Sequence, residues 1–227
     1  MERTEESNNN VRQVQVAGGA VTLQGWLSMP DTAQGIVFCP FGGGGRQQGY
    51  DEVAQLLQDG GFATLLLNLL TPEEEALDKQ TAFFDSNVSI FSQRIQGATS
   101  WFIDNFDTQP RIFRIGYFAI GASAGGALVA AAERPDAIQA IVSCSGRPDL
   151  ADQYLPMVSA PTLFLVGEND RSAIEMHHAA LSQFKVEKQL EIIPGTTSLF
   201  EEEDTRKKVT ELVRQWFERY LAANPSS

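Results

Sequence analysis

Two short runs near the start of the chain, 11–16 and 21–27, alternate apolar and polar residues on either side of Gly18-Gly19. A period of two broken by a glycine pair predicts an antiparallel hairpin. Beyond it the pattern changes to mostly apolar runs at 35–40, 62–67, 115–120, 137–144 and 161–166, as in strands covered on both faces, with a shorter strand at 189–193. Helical spacing fills the gaps. Val53, Leu56 and Leu57 mark a helix over 51–59 that Gly60-Gly61 closes. Val88, Phe91, Ile95, Ala98, Phe102 and Phe106 mark a long amphipathic helix before Pro110. Further helices are predicted over 124–132, 172–184 and 204–221. Strand and helix alternate without repeats, which predicts one α/β domain over 11–227 with a mostly parallel sheet wrapped on both faces. The polar start, residues 1–10, reads as a disordered tail. Thr71-Pro72-Glu73-Glu74-Glu75 opens an acidic connection, and the stretch 70–86 is expected to roof a fairly open site without forming a cap domain, with Phe83 and Phe84 packing that loop.

The apolar run 115–120 breaks into Gly121-Ala122-Ser123-Ala124-Gly125 and continues as a small-residue helix. Gly-x-Ser-x-Gly between a buried strand and a helix is the pattern of a nucleophile elbow, with Ser123 as the nucleophile. The N–H of Ala124, the residue after it, is the expected oxyanion donor, and the loop opening at Phe41-Gly42 after the strand 35–40 supplies a second. The glycines after Phe41 are not followed by Lys-Ser/Thr, so a phosphate cradle is not indicated, and Arg46 reads as an exposed loop residue. In parallel sheets reactive groups gather at the carboxyl ends of the strands. Asp170, four residues past the strand 161–166, stands where a carboxylate could orient a base; Asp149 is the competitor, and capping of the next helix is an alternative role for Asp170.

Charge and cysteine usage narrow the partners. The 227 residues carry 17 Lys and Arg against 29 Asp and Glu, a net charge of −12, which argues against nucleic acid or an anionic membrane. The start lacks the apolar core of a secretory signal and no run reaches membrane-spanning length. Cys39 and Cys144 fall in or beside buried strands, as free thiols do in a reducing compartment, so a cytoplasmic location is expected. His177 and His178 lie adjacent on one predicted helix among Ile174, Leu181 and Phe184; packing is their expected role, and their spacing is poor for joint metal ligation.

Together these segments resemble the compact dienelactone hydrolase-like branch of the α/β-hydrolase superfamily. The likeness rests on Phe62-Ala63-Thr64-Leu65-Leu66-Leu67, Leu70-Thr71-Pro72-Glu73-Glu74-Glu75, the elbow, the stretch 131–136, Gly146-Arg147-Pro148-Asp149-Leu150, and Ile193-Pro194-Gly195 through Glu202. The resemblance implies an α/β-hydrolase fold, Ser123 as nucleophile, Asp170 as acid, a small ester or lactone as substrate, and neither cofactor nor metal. It also implies a histidine between Gly195 and Leu199, and at that place the chain has Ser198. A serine hydroxyl is no base near neutral pH. Two readings follow: a small serine hydrolase impaired at its base, or a non-catalytic hydrolase-fold protein that binds a small ligand or a protein partner in the old pocket.

Overall fold

The computed structural model describes residues 11–33, 35–42, 48–84, 87–106 and 113–222. The expected tail 1–10 and the glycine run 43–45 with Arg46 lie outside them. Strands β1 (Val11–Ala17) and β2 (Thr22–Ser28) form the expected antiparallel hairpin, with Val14 opposite Gly25. The remaining strands are β3 (Ile36–Phe41), β4 (Ala63–Asn68), β5 (Ile115–Ile120), β6 (Ile138–Cys144), β7 (Thr162–Gly167) and β8 (Lys188–Ile193). They form an eight-stranded sheet in the order β1-β2-β4-β3-β5-β6-β7-β8. β2 meets β4 antiparallel, and from β4 to β8 all neighbours are parallel.

Helices α1 (Gln48–Asp59) and α6 (Glu203–Leu221) cover one face of the sheet, and α3 (Val88–Phe106), α4 (Ala122–Glu133) and α5 (Arg171–Leu181) cover the other. The period of two inside each apolar run explains why both faces are dry. In β3, Ile36 and Phe38 enter the core under α3 and α4, while Val37, Cys39 and Phe41 enter the core under α1 and α6. In β5, Tyr117 and Ala119 go one way and Phe118 the other. Register aligns the strand ends: Phe41 pairs with Asn68, Ile120 with Cys144, and Gly167 with Ile193. Every loop expected to carry chemistry therefore leaves the same edge of the sheet.

Two elements depart from the expectation. The acidic connection contains a helix, α2 (Pro72–Thr81), and Pro148–Met157 forms a 3-10 helix after β6. α2 has no apolar stripe; the one residue it buries is Asp78. Its ends hold it instead. Thr71 Oγ1 accepts the Glu74 N–H at 3.3 Å, Glu74 Oε2 accepts the Thr71 N–H at 2.9 Å, and Pro72 starts the first turn. Glu74 also takes a two-pronged ion pair from Arg94 of α3, at 2.7 and 2.6 Å, which holds its carboxyl below the ordinary range. Of the two roof aromatics, Phe84 is buried and Phe83 is half exposed. Among the described residues no helix is long and apolar enough to cross a membrane.

Candidate active site

β5 ends at Ile120, α4 begins at Ala122, and Gly121 alone spans the junction with φ 63° and ψ −132°. That conformation is one L side chains rarely adopt. Close packing then keeps the start of α4 on the sheet. A Cβ on Gly125 would lie 2.9 Å from Arg147 O, and one on Gly126 would lie 2.6 Å from Phe91 Cβ, so both positions need glycine.

Ser123 does not stand at the exposed end of the strand. It is the second residue of α4, is 3% exposed, and its Oγ donates to Ile120 O at 2.9 Å one turn back. From below, the fully buried Tyr50 of α1 reaches up to it. The Tyr50 hydroxyl lies 3.0 Å from Ser123 Oγ and 3.0 Å from Pro40 O, and it accepts the Ile120 N–H at 2.9 Å. Two hydroxyl protons are thus shared among Pro40 O, Ile120 O and the two oxygens themselves. Every arrangement spends both protons inside the protein. Burial pushes the Tyr50 phenol well above its ordinary value, so it stays protonated, and Cys144 nearby is likewise held as a thiol. Among the described residues no histidine, lysine or arginine contacts Ser123 Oγ.

The proposed oxyanion donors also fall differently from expectation. The Ala124 N–H is already bonded to Gly121 O at 3.2 Å and is not free to receive an oxyanion. For Ala122, at the head of the helix, no hydrogen-bond partner appears among the described residues. Phe41 is buried between Trp26 and Tyr50, with ring centroids at 6.2 and 5.7 Å, and its carbonyl accepts the Leu69 N–H at 2.7 Å. Gly42 follows with its backbone against the Phe91 ring, where a Cβ would lie 2.5 Å from Cζ.

Asp170 lies at the end of β7 as its place in the sequence suggests, and it caps α5. Its Oδ1 accepts the Ala173 N–H at 2.9 Å and the Ser172 hydroxyl at 2.8 Å, and these bonds hold the carboxyl below its ordinary range. The loop after β8 lies directly alongside. Asn169 N–H donates to Thr196 O at 2.9 Å, Glu168 N–H to Ile193 O at 2.9 Å, and Gly195 N–H to Glu168 Oε2 at 2.9 Å. Ser198 is half buried in a tight turn, its N–H bonded to Thr196 Oγ1 at 3.1 Å while that hydroxyl donates to Ser198 O at 2.6 Å. The structure therefore brings the Asp170 and Ser198 loops together, and seals Ser123 away beneath its turn. The competitor Asp149 is taken up by Arg147 at 2.8 and 2.7 Å.

The two histidines separate as one buried and one exposed. His177 is fully buried, its ring edge-on to Phe164 at 5.3 Å and Nδ1 2.7 Å from Ala173 O, and burial lowers its pKa; His178 is exposed. Among the described residues no group of three or more His, Cys, Asp or Glu is placed to hold a metal ion. The two residues that the motif reading misses are Tyr50 and Gly121. A tyrosine just ahead of the helix over 51–59 was visible in the sequence, but its hydroxyl's partners lie on two other strands and a helix, and no local pattern announces them.

Comparison with known proteins agrees with this architecture. A crystal structure of dienelactone hydrolase from Anabaena variabilis is 43% identical and superposes with a TM-score of 0.88, covering 93% of this chain and 98% of that one. Est1E from Butyrivibrio proteoclasticus, 16% identical, shares the fold with a TM-score of 0.72 over 91% of this chain and 98% of its own. Two Mycobacterium tuberculosis proteins that carry the provisional name phosphoribosyl transferase are 39% identical over 211 residues, 92% of this chain and 46% of theirs. The chain thus spans about half the length of the curated relatives it matches. Residues 23–221 match the model of the Dienelactone hydrolase family, and with that coverage, on an eight-stranded, mostly parallel α/β-hydrolase sheet, the chain belongs to the dienelactone hydrolase family.

Proposed function

We propose that this protein keeps the binding architecture of a dienelactone hydrolase and does not turn over esters, holding a small ester- or lactone-like molecule, or the acid derived from it, at the carboxyl edge of the sheet. The observation that carries this reading is the state of Ser123: its hydroxyl is spent on Ile120 O and Tyr50, with no basic group in contact among the described residues. The family's base position holds Ser198, which lacks a useful basicity. Losing the base of a comparable triad alone costs about six orders of magnitude in turnover. The buried free thiols Cys39 and Cys144 suit a reducing compartment such as the cytoplasm.

The length of the curated relatives favours a second reading of the same fold, as a module serving another polypeptide. In those proteins the matched region is 46% of a longer chain named for phosphoribosyl transfer. A partner protein, or sequence beyond these 227 residues, would supply the remainder here.

The test is hydrolysis of p-nitrophenyl acetate and of a small lactone, run beside ligand-induced thermal shifts with lactones and their hydroxy-acid products. The expected result is no turnover above buffer for the natural sequence and for Ser123→Ala, with a rise in melting temperature for ligands of the right class. Turnover by the natural sequence that Ser123→Ala abolishes would overturn the reading.

A further inference from the structure

We propose that the nucleophile station of this chain is Gly121, two residues ahead of the serine in the Gly-x-Ser-x-Gly run, so that the site is a hydrolase site vacated at two stations, Gly121 and Ser198, around a retained acid, Asp170. The inference deepens the reading above and rests on it.

Four observations place the station. A nucleophile elbow holds its reactive residue at the strained junction of strand and helix, with the side chain over the strand ends. Here that junction is one residue long: β5 ends at Ile120, α4 starts at Ala122, and Gly121 carries the positive φ. Among the described residues the non-glycine positions with positive φ are Ala82 and Ser145, so Ser123 lacks the elbow conformation.

Direction agrees with conformation. Among the described residues a Cβ built on Gly121 meets no heavy atom within 4 Å, so it points away from the packed residues around it. Ser123, at 3% exposure, opens onto none.

The donor count gives the same answer. The oxyanion donor is the N–H following the nucleophile. Counted from Ser123 this is Ala124, whose N–H is bonded to Gly121 O; counted from Gly121 it is Ala122, which has no recorded partner among the described residues.

Close packing is the fourth observation. Two residues either side of an elbow nucleophile the chain needs small residues, and two either side of Gly121 it has Ala119 and Ser123, both buried. Ser123 thereby acquires a structural role, as the member of the Tyr50 network that ties α4 to β3 and β5.

The experiment separates accessibility from chemistry. Gly121→Cys and Ser123→Cys are made singly in the full chain and treated with iodoacetamide under native conditions; Cys39 and Cys144, both buried, give the background. Alkylation of the Gly121→Cys thiol should run about a hundredfold faster than that of Ser123→Cys, because exposure controls access to the thiolate. The reverse order overturns the proposal.

In parallel, Ser198→His, Gly121→Ser and the double variant Gly121→Ser/Ser198→His are assayed with p-nitrophenyl acetate. The introduced hydroxyl attacks the carbonyl carbon, a C–O bond to it forms, and the bond to p-nitrophenolate breaks. The introduced imidazole takes the hydroxyl proton, and water then releases acetate. The double variant should exceed either single by about a thousandfold, the usual worth of a positioned general base, and the gain should survive addition of Ser123→Ala.

If Ser198→His alone gains turnover that Ser123→Ala removes, Ser123 is the nucleophile and the proposal fails. A folded double variant with no gain also sinks it. Turnover by the unaltered protein would instead break the functional reading while leaving the alkylation order free to stand.

Discussion

The two sides of the site differ in how the sequence pattern and the backbone meet. At the β5–α4 junction the Gly-x-Ser-x-Gly lettering and the strained turn fall on different residues: Ser123 is spelled as a nucleophile and placed as a helix residue, its Oγ against Tyr50, while Gly121 takes the turn. At the β7 and β8 ends the loops are joined backbone to backbone, and the resemblance read from the sequence implies a histidine where Ser198 stands. Asp170 and Ser198 occupy neighbouring loops bound to each other through Asn169 and Thr196. The difference teaches that a scaffold and its chemistry are held by separate interactions. Backbone hydrogen bonds and close packing keep the loops in place whatever side chain projects from them, and a motif's letters do not guarantee the backbone on which its chemistry depends.

If the β7 and β8 loops are held by backbone contact, wedging them apart should do the most damage. A Cβ on Gly167 would lie 2.4 Å from Thr196 O and 2.9 Å from its carbonyl carbon, and backbone cannot rotate away as a side chain can. Gly167→Ala should therefore cost about 3 kcal/mol, at the upper end for forced overpacking. Urea unfolding read by circular dichroism measures it. A loss under about 0.5 kcal/mol, the range of an ordinary surface change, would show that the two loops are not rigidly joined.

The elbow side should break next, through its polar network. Tyr50→Phe keeps the ring between Phe41 and Phe118 but removes the oxygen that serves Pro40 O, the Ile120 N–H and Ser123. Leaving a buried N–H without its acceptor costs about 1–3 kcal/mol, so about 2 kcal/mol is expected. Ser123→Ala should cost less, about 1 kcal/mol, because Tyr50 keeps Pro40 O as acceptor. The double variant, run as a cycle, should show coupling between the two positions; strict additivity would mean that the two hydroxyls do not share their protons.

The same contrast explains what could be read without coordinates. The strands were legible because burial on both faces leaves an unmistakable apolar run, as in Ile36–Phe41 and Thr162–Gly167, where every residue is buried. The place of Asp170 followed from its distance past the strand 161–166, while the family came from the resemblance of particular segments, the elbow among them. α2 was not legible by periodicity, because its helix is fixed by Thr71, Pro72 and Glu74 at the start and by the ion pair to Arg94, none of which repeats every three or four residues. Thr71-x-x-Glu74 was the available sign, a capping box. Pro148–Met157 hides for a similar reason, being bounded and interrupted by Pro148 and Pro156. The elbow misleads for a deeper one. Which residue takes the left-handed turn depends on where β5 stops pairing with β6, at Ile120 and Cys144, and a five-residue pattern with a glycine at each end does not record that register.

Asp170 tests the smallest difference, between a carboxylate serving a base and one serving a helix. With no imidazole opposite it, its remaining work is to cap α5, and Asp170→Ala should cost about 1 kcal/mol at pH 7. Asp170→Asn retains an acceptor for the Ala173 N–H and gives up the charge alone, so it should cost a few tenths of a kcal/mol, the favourable meeting of an anion with a helix N-terminus. The pH dependence fixes the cause. The folded carboxyl titrates below its ordinary value because the Ala173 N–H and Ser172 hydroxyl favour the anion. A group depressed in this way lends its stability in full above the unfolded carboxylate pKa of about 3.9 and loses it as the pH falls through the folded value. The gap between the natural protein and Asp170→Asn should therefore be constant from pH 7 to about pH 5 and close on further acidification. Were the gap to widen in acid, Asp170 would be held protonated in the folded state, as a buried acid beside an empty base site would be, and its role as a cap would have to be given up.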